Sequence, residues 1–404
     1  MIYSPKHFNG SDSDRLQAAV DAAAAVGGGK VVVGRRVPDE SVQRDYWLLE
    51  RALLLPANVI LVLDNCRLKL ADTCRDNMIR SANCGIGISK VEPLHNIHIV
   101  GIGEAVLEGA DRPRASGDGA KSLSADNARE RGGSYIPISY GTDALDATEK
   151  QSGDWRNIGI LLAEVHNFSI TGIKLVDTHC WGISLEWCSF GTIRDLRFAS
   201  IGGRVIDGKF RVMLNQDGLD LRQGCHDITI DGISGSSGDD LVALTAIRRW
   251  QPQQREAGSL DSTMVGGAGW GDTRDDVYNI IIRNVRGTAG GHHVVRFLNN
   301  GGIVMRNILI DGVVGTATAE RPDRAVIVVG DQSYGGAAAL GDTRGFMVSN
   351  VCGQARHLVE VRGTLSDSVF TNLLYTTAQG SALSFPSGSE SGQNIKVCND
   401  VCID

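Results

Sequence analysis

One seven-residue pattern recurs along this chain and constrains its fold more than any other feature: Asn or Asp, apolar, any, apolar, any, Gly or Asn, apolar. It reads NIHIVGI at 96–102, NFSITGI at 167–173, DITIDGI at 227–233, NIIIRNV at 279–285 and NILIDGV at 307–313, with looser copies at GFMVSNV and SVFTNLL. Each copy alternates apolar positions with others and closes on a turn residue, the period-two signature of a short strand.

A second short strand precedes most copies: IGILLA, GISLEW, GLDLRQ, DLVALTA, HVVRFLN, AVIVVGD, LVEVRG and ALSFPS. Aligned on Ile160, Ile183, Leu219, Leu241, Val295, Val326, Val359 and Leu383, these recur at spacings of 23, 36, 22, 54, 31, 33 and 24 residues. A base unit of 22 to 24 residues, with two or three short strands and no amphipathic helix, is β-solenoid spacing. The expectation is an all-β chain folded as a right-handed parallel β-helix, its hand set by the usual parallel crossover preference. The segment SDSDRLQAAVDAAAAV at 11–26 opens on Ser and Asp and places Leu16, Val20 and Ala23/Ala24 on one face. It is expected to form an N-terminal helix that caps the first coil. Residues 1–404 are then expected to make one domain, interrupted by two loops at 104–156 and 247–277 that are long enough to be functional.

Composition agrees with this and removes some partners. Fifty glycines against nine prolines fit many tight turns. A net charge of −7 leaves no basic footprint for nucleic acid or an anionic membrane. No stretch approaches the roughly 18 apolar residues of a membrane span, and the first residues lack a cationic region followed by an apolar run, so a cytoplasmic location is expected, or a secreted one if a signal peptide has been removed. Nine cysteines, an odd and scattered set, point to reduced buried thiols, with a Cys398–Cys402 pairing near the C-terminus as the alternative.

In a parallel solenoid, equivalent positions of successive coils stack about 4.8 Å apart. The stretch NQDGLDLRQGCHDITIDGISGSSGDDLVAL, 215–244, thereby brings Asp217 under Asp239 and Asp240. With Leu219, Leu221, Leu241 and Ala243 inward, the outward positions are Asp220, Arg222, Asp240 and Val242. Placing Val295 and Phe297 inward turns His292 and Arg296 onto the same face, and the preceding coil adds Ser184 and Glu186, with His179 and Trp181 at its entrance. Carboxylates held this closely repel, so at least one is expected to keep its proton near neutral pH. One protonated and one or two ionised carboxyls are what acid–base cleavage of a glycosidic bond requires. Plainer uses compete. Asp fills turns by bonding local backbone, Glu186 and Arg222 suit a sheet-face ion pair, Trp181 serves packing as readily as a sugar, and His226 and His293 read as structural. Clustered carboxylates also suit a hard cation such as Ca²⁺.

Over most of its length the chain resembles glycoside hydrolase family 28, the polygalacturonases, within the pectate-lyase-like β-helices. The resemblance rests on the entry NGSDSDRLQAAVDAA…GGGKVVV, on NFSITGIKLVDTHCWGISLEWC, and on two catalytic-type stretches. NQDGLD is similar to the family's Asn-Thr-Asp-Gly-x-Asp and GDDLVAL to its Asp-Asp-Cys-Ile-Ala. Carried over by position, it implies Asp239 as general acid, Asp217 and Asp240 as the pair that holds and deprotonates water, inversion at the anomeric carbon, and no metal or other cofactor. His292 falls on the coil of the family's Gly-His-Gly, here GGHHVV. Where the family has Arg-x-Lys this chain reads RAVIVVGD, leaving Arg296 or Arg222 to take a substrate carboxylate. Asp220, Trp181, Glu186 and His179 complete the expected substrate-binding set. The expected function is an inverting glycoside hydrolase of a pectin-like or other polysaccharide. The rival expectations are a polysaccharide lyase or uronate epimerase on the same scaffold, and a non-catalytic carbohydrate-binding β-helix.

Overall fold

The computed structural model describes all residues except 39–41, 75, 85–90, 113–121, 124–150, 153–156, 179, 180, 207, 214, 247–271, 300 and 333–337. Most of the two expected loops, and His179, lie outside the described residues. The described chain forms two compact units, one comprising Met1–Ser184 and Ala199–Gln216, the other Leu185–Phe198, Asp217–Arg248 and Ala268–Asp404. Each is a stack of short parallel strands, the parallel β-helix class that the repeat predicts.

In the first unit the helix Asp12–Ala24 opens on Ser11, whose side chain accepts from Asp14 N while Asp14 reaches back to the Ser11 backbone. That reciprocal cap fixes the first turn. Leu16, Ala19, Val20 and Ala23 are buried along one face, and Asp12, buried in the first turn, accepts from Leu48 N at 3.0 Å and Arg36 Nε at 3.1 Å. Strand Gly29–Val33 pairs in parallel with Val59–Asp64, and that with Leu94–Ile102. Two antiparallel pairs depart from the coil pattern, Ser122–Leu123 with Gln151–Ser152 and Gly203–Ile206 with Lys209–Val212; the repeat alignment does not contain them.

The second unit shows why each copy of the repeat begins with Asn or Asp. Asp227, Asn279 and Asn307 have φ of 54°, 55° and 56°, in the left-handed region that short polar side chains tolerate. They also form a ladder: Asn279 Nδ2 donates to Asp227 Oδ1 at 2.8 Å and Asn307 Nδ2 to Asn279 Oδ1 at 3.1 Å. The looser copy GFMVSNV places Gly345 at the same step with φ 69°, where a side chain other than these would be strained. Beyond the turn, Ile228, Ile280, Ile308 and Phe346 stack in one row and Ile230, Ile282, Ile310 and Val348 in the next. All eight are buried, each contributing on the order of 1.5–3 kcal/mol of apolar transfer.

Every described cysteine is a free thiol, Cys398 and Cys402 included. Burial pushes the Cys66 and Cys225 thiols up to about 12, which keeps them protonated and unreactive. No helix among the described residues is long and apolar enough to cross a membrane.

Candidate active site

The carboxylates are positioned by the second sheet of the second unit. Leu219 pairs with Val242, Asp220 with Ala243, Leu221 with Leu244 and Arg222 with Thr245. Val242 then pairs with Val295, Ala243 with Arg296 and Leu244 with Phe297, and Val295 with Ile327. This register differs by one residue from the alignment on Leu241 and on Val326, and a one-residue slip exchanges the two faces of a strand. Leu241 and Val242 are both apolar and both buried, so alternation alone does not choose between them. The backbone does: Gly218 N donates to Asp240 O at 2.9 Å, Leu219 N to Leu241 O at 3.0 Å, and Leu241 N to His293 O at 3.1 Å.

Val242 is therefore inward, and Asp240 leaves the mid-strand face for the strand entrance, level with Asp217 on one side and His293 on the other. Asp217, Asp240 and His293 form one column across three coils, with Asp239 and His292 as the column beside it. Asp240 is fully buried. Its Oδ1 accepts from His293 N at 3.1 Å and from His293 Nδ1 at 2.7 Å, and its Oδ2 accepts from Arg296 Nη1 at 2.9 Å. His292 Nδ1 lies 3.0 Å from Asp239 Oδ1, with side-chain exposures of 42% and 20%, and the same Oδ1 accepts from Asp240 N at 3.0 Å. Ser237 Oγ bonds the Asp239 carbonyl at 2.6 Å and fixes the turn.

Three different environments result. Burial raises the Asp217 carboxyl well above the usual carboxylate range, and the charges of Asp239, Asp220 and Asp240 push it further, against Arg296. Burial also works to raise Asp240, but the Arg296 guanidinium and His293 outweigh it and hold that carboxyl well below the usual range. The hydrogen bond to Asp239 raises the His292 imidazole above its ordinary 6.5, against the effect of burial. The cluster thus sets a carboxyl of raised proton affinity next to one of lowered proton affinity.

The other expected residues are placed differently. Glu186, Asp220 and Arg222 are 0%, 2% and 1% exposed, so they do not form an open binding face. Glu186 Oε1 lies 3.6 Å from Arg222 Nε, and Thr245 Oγ1 donates to Asp220 Oδ1 at 3.2 Å. Trp181, in the first unit, is 4% exposed and packs with Cys84, Ile158, Leu161, Ala163 and Val91; its large apolar area goes to the core there. Arg296 donates Nη1 to Asp240 and keeps 18% of its side chain exposed, whereas Arg222 is buried. An exposed cation next to the site is Arg324, which follows His292 by one coil. Its N–H donates to His292 O at 2.8 Å and its charge acts on the His292 imidazole.

Arg324 is not singled out by the sequence reading, which gives His293 a structural role, and the corrected register aligns Arg324 with His292 and His293 with Asp240. Asp239, Asp240 and His292 bring one ligand atom each within 4.8 Å of one another. Yet both oxygens of Asp240 already accept from His293 and Arg296, and a resident guanidinium there competes with any hard cation.

No protein-family model matches the chain, and no curated protein matches it. Solved structures do. A hyperthermoactive exopolygalacturonase from Thermotoga maritima superposes with a TM-score of 0.54 at 14% identity, over 99% of this chain and 92% of that one. The fold is polygalacturonase-like. An E. coli bacteriophage tailspike protein in complex with a pentasaccharide also reaches 0.54 at 12% identity, over all of this chain and 64% of its own. At these identities the likeness is one of fold.

Proposed function

We propose that this chain is an inverting glycoside hydrolase that acts on a uronate-containing, pectin-like polysaccharide, with Asp217, Asp239 and Asp240 as its catalytic carboxyls. The observation that carries the reading is the column of Asp217, Asp240 and His293 beside the Asp239–His292 pair, because it separates the proton affinities of neighbouring carboxyls as acid–base catalysis requires. Asp217, whose proton affinity is raised by burial, lies beside Asp239, which is the more exposed of the two and gives its proton to the glycosidic oxygen. Asp240, held ionised by Arg296 and His293, raises the proton affinity of its carboxyl neighbours, and a carboxylate of the cluster accepts a proton from the attacking water. In the reaction the bond from the anomeric carbon to the leaving oxygen breaks. The leaving oxygen takes the carboxyl proton, water adds to the opposite face, and its proton passes to a carboxylate.

Arg324 supplies the cation for a substrate carboxylate at this site. Assays on paired neutral and uronic-acid oligosaccharides test both parts. New reducing ends are expected from the uronate series alone, without the ultraviolet absorbance of an unsaturated uronate. Arg324→Ala is expected to raise KM for that series about tenfold or more, as loss of a charged hydrogen bond of about 1.5–3 kcal/mol implies. Absorbance would assign the chain to the lyases, and binding of sugar without any product would favour a carbohydrate-binding β-helix.

A further inference from the structure

Both imidazoles of the site hang from one short turn, Thr288–Gly291, and that turn is gathered onto a single buried carboxyl. Asp323 is 0% exposed. Its Oδ1 accepts from Thr288 Oγ1 at 3.1 Å and from Gly291 N at 2.9 Å, and its Oδ2 accepts from Ala289 N at 2.9 Å. All three donors fall within the four residues that precede His292. His292 N closes the turn on Ala289 O at 3.0 Å, and Ser237 N donates to Thr288 O at 3.1 Å. Gly290, with φ 61°, approaches Ser237 and Gly238 so closely that a Cβ there would lie 3.1 Å from Ser237 O. The turn is thus clamped between Asp323 on one coil and the Ser237–Gly238 step that leads into Asp239 on the other.

A buried carboxyl whose bonds here are to two amides and a hydroxyl costs desolvation, and no ion pair to it occurs among the described residues. We propose that Asp323 is a positioning residue of the active site: by fixing the Thr288–Gly291 turn it sets His292 against Asp239 and His293 against Asp240. Its kinetic consequence rests on the hydrolase reading, and its structural consequence does not.

Asp323→Asn tests it with little change of shape, since an amide NH2 would face one of the donors that the carboxyl now accepts. In the free protein, with ¹⁵N-labelled histidine, the downfield Nδ1–H resonances of His292 and His293 are expected to shift or to be lost to exchange. On substrate, kcat is expected to fall about tenfold to a hundredfold while KM changes less than about twofold, the signature of misplaced groups rather than lost binding. Thr288→Val, which removes one bond of the three, is expected to show the same pattern at smaller amplitude and carries the test should Asp323→Asn fail to fold. Unchanged histidine resonances in the folded variants would overturn the proposal, as would a loss of thermal stability with kcat intact. Shifted resonances in a protein that hydrolyses no sugar would overturn the hydrolase reading and leave the positioning role standing.

Discussion

Asp217→Asn is expected to give a folded protein at least about a thousandfold slower than wild type, the upper range for loss of a positioned acid or base. The variant is also expected to be more stable than wild type at pH 8. The sign follows from the direction of the shift. The Asp217 carboxyl is raised well above its ordinary 3.8 in the folded state, so above pH 3.8 the native state keeps a proton that the unfolded chain releases. Wild-type stability therefore declines as pH rises from 3.8 through the folded value, and the full penalty applies above it. A neutral amide has no such dependence. Melting temperatures of the two proteins should differ least near pH 3 and diverge upward, the variant gaining. A variant that loses stability at every pH would show that Asp217 is held by a partner rather than forced to be neutral, and a variant with wild-type turnover would remove it from the chemistry.

Asp240→Ala is expected to move stability the other way, by about 3–5 kcal/mol, because it leaves Arg296 and His293 facing a buried site without their acceptor. Asp240 is depressed below 3.8, so its contribution is present above pH 3.8 and is lost as pH falls through the folded value. The gap between wild type and variant should therefore be constant at neutral pH and close only in strong acid. The double variant Asp240→Ala, Arg296→Met should recover much of the stability, since an apolar replacement no longer strands a charge, yet recover no turnover. Denaturant unfolding of the single and double variants measures this. A double variant as unstable as the single one would mean that the cost lies in the cavity rather than in the unpaired cation.

The coil architecture was legible because it repeats: the Asn or Asp at each copy is a left-handed turn residue in the ladder Asp227–Asn279–Asn307, and the helix begins at the Ser11–Asp14 cap. The site was legible as residue types but not as neighbours. GDDLVAL offers Leu241 and Val242 side by side, both apolar and both buried, so a period of two fits either register. Only backbone bonds across coils decide, and no local pattern encodes them. His293 reads as structural. It is buried, but the interior at that level is the Asp240 carboxylate. Burial of Glu186, Asp220 and Arg222 depends on what covers an outward position, which strand alternation cannot express.

The most direct test of the central claim is hydrolysis of a uronic-acid oligosaccharide in ¹⁸O-water, with the first product followed by NMR for its anomeric configuration and by mass for its label. Water activated and attacking across the Asp217, Asp239 and Asp240 cluster predicts one ¹⁸O on the new anomeric carbon in inverted configuration, absent from Asp239→Asn. Retained configuration, or an unlabelled unsaturated product, would contradict it.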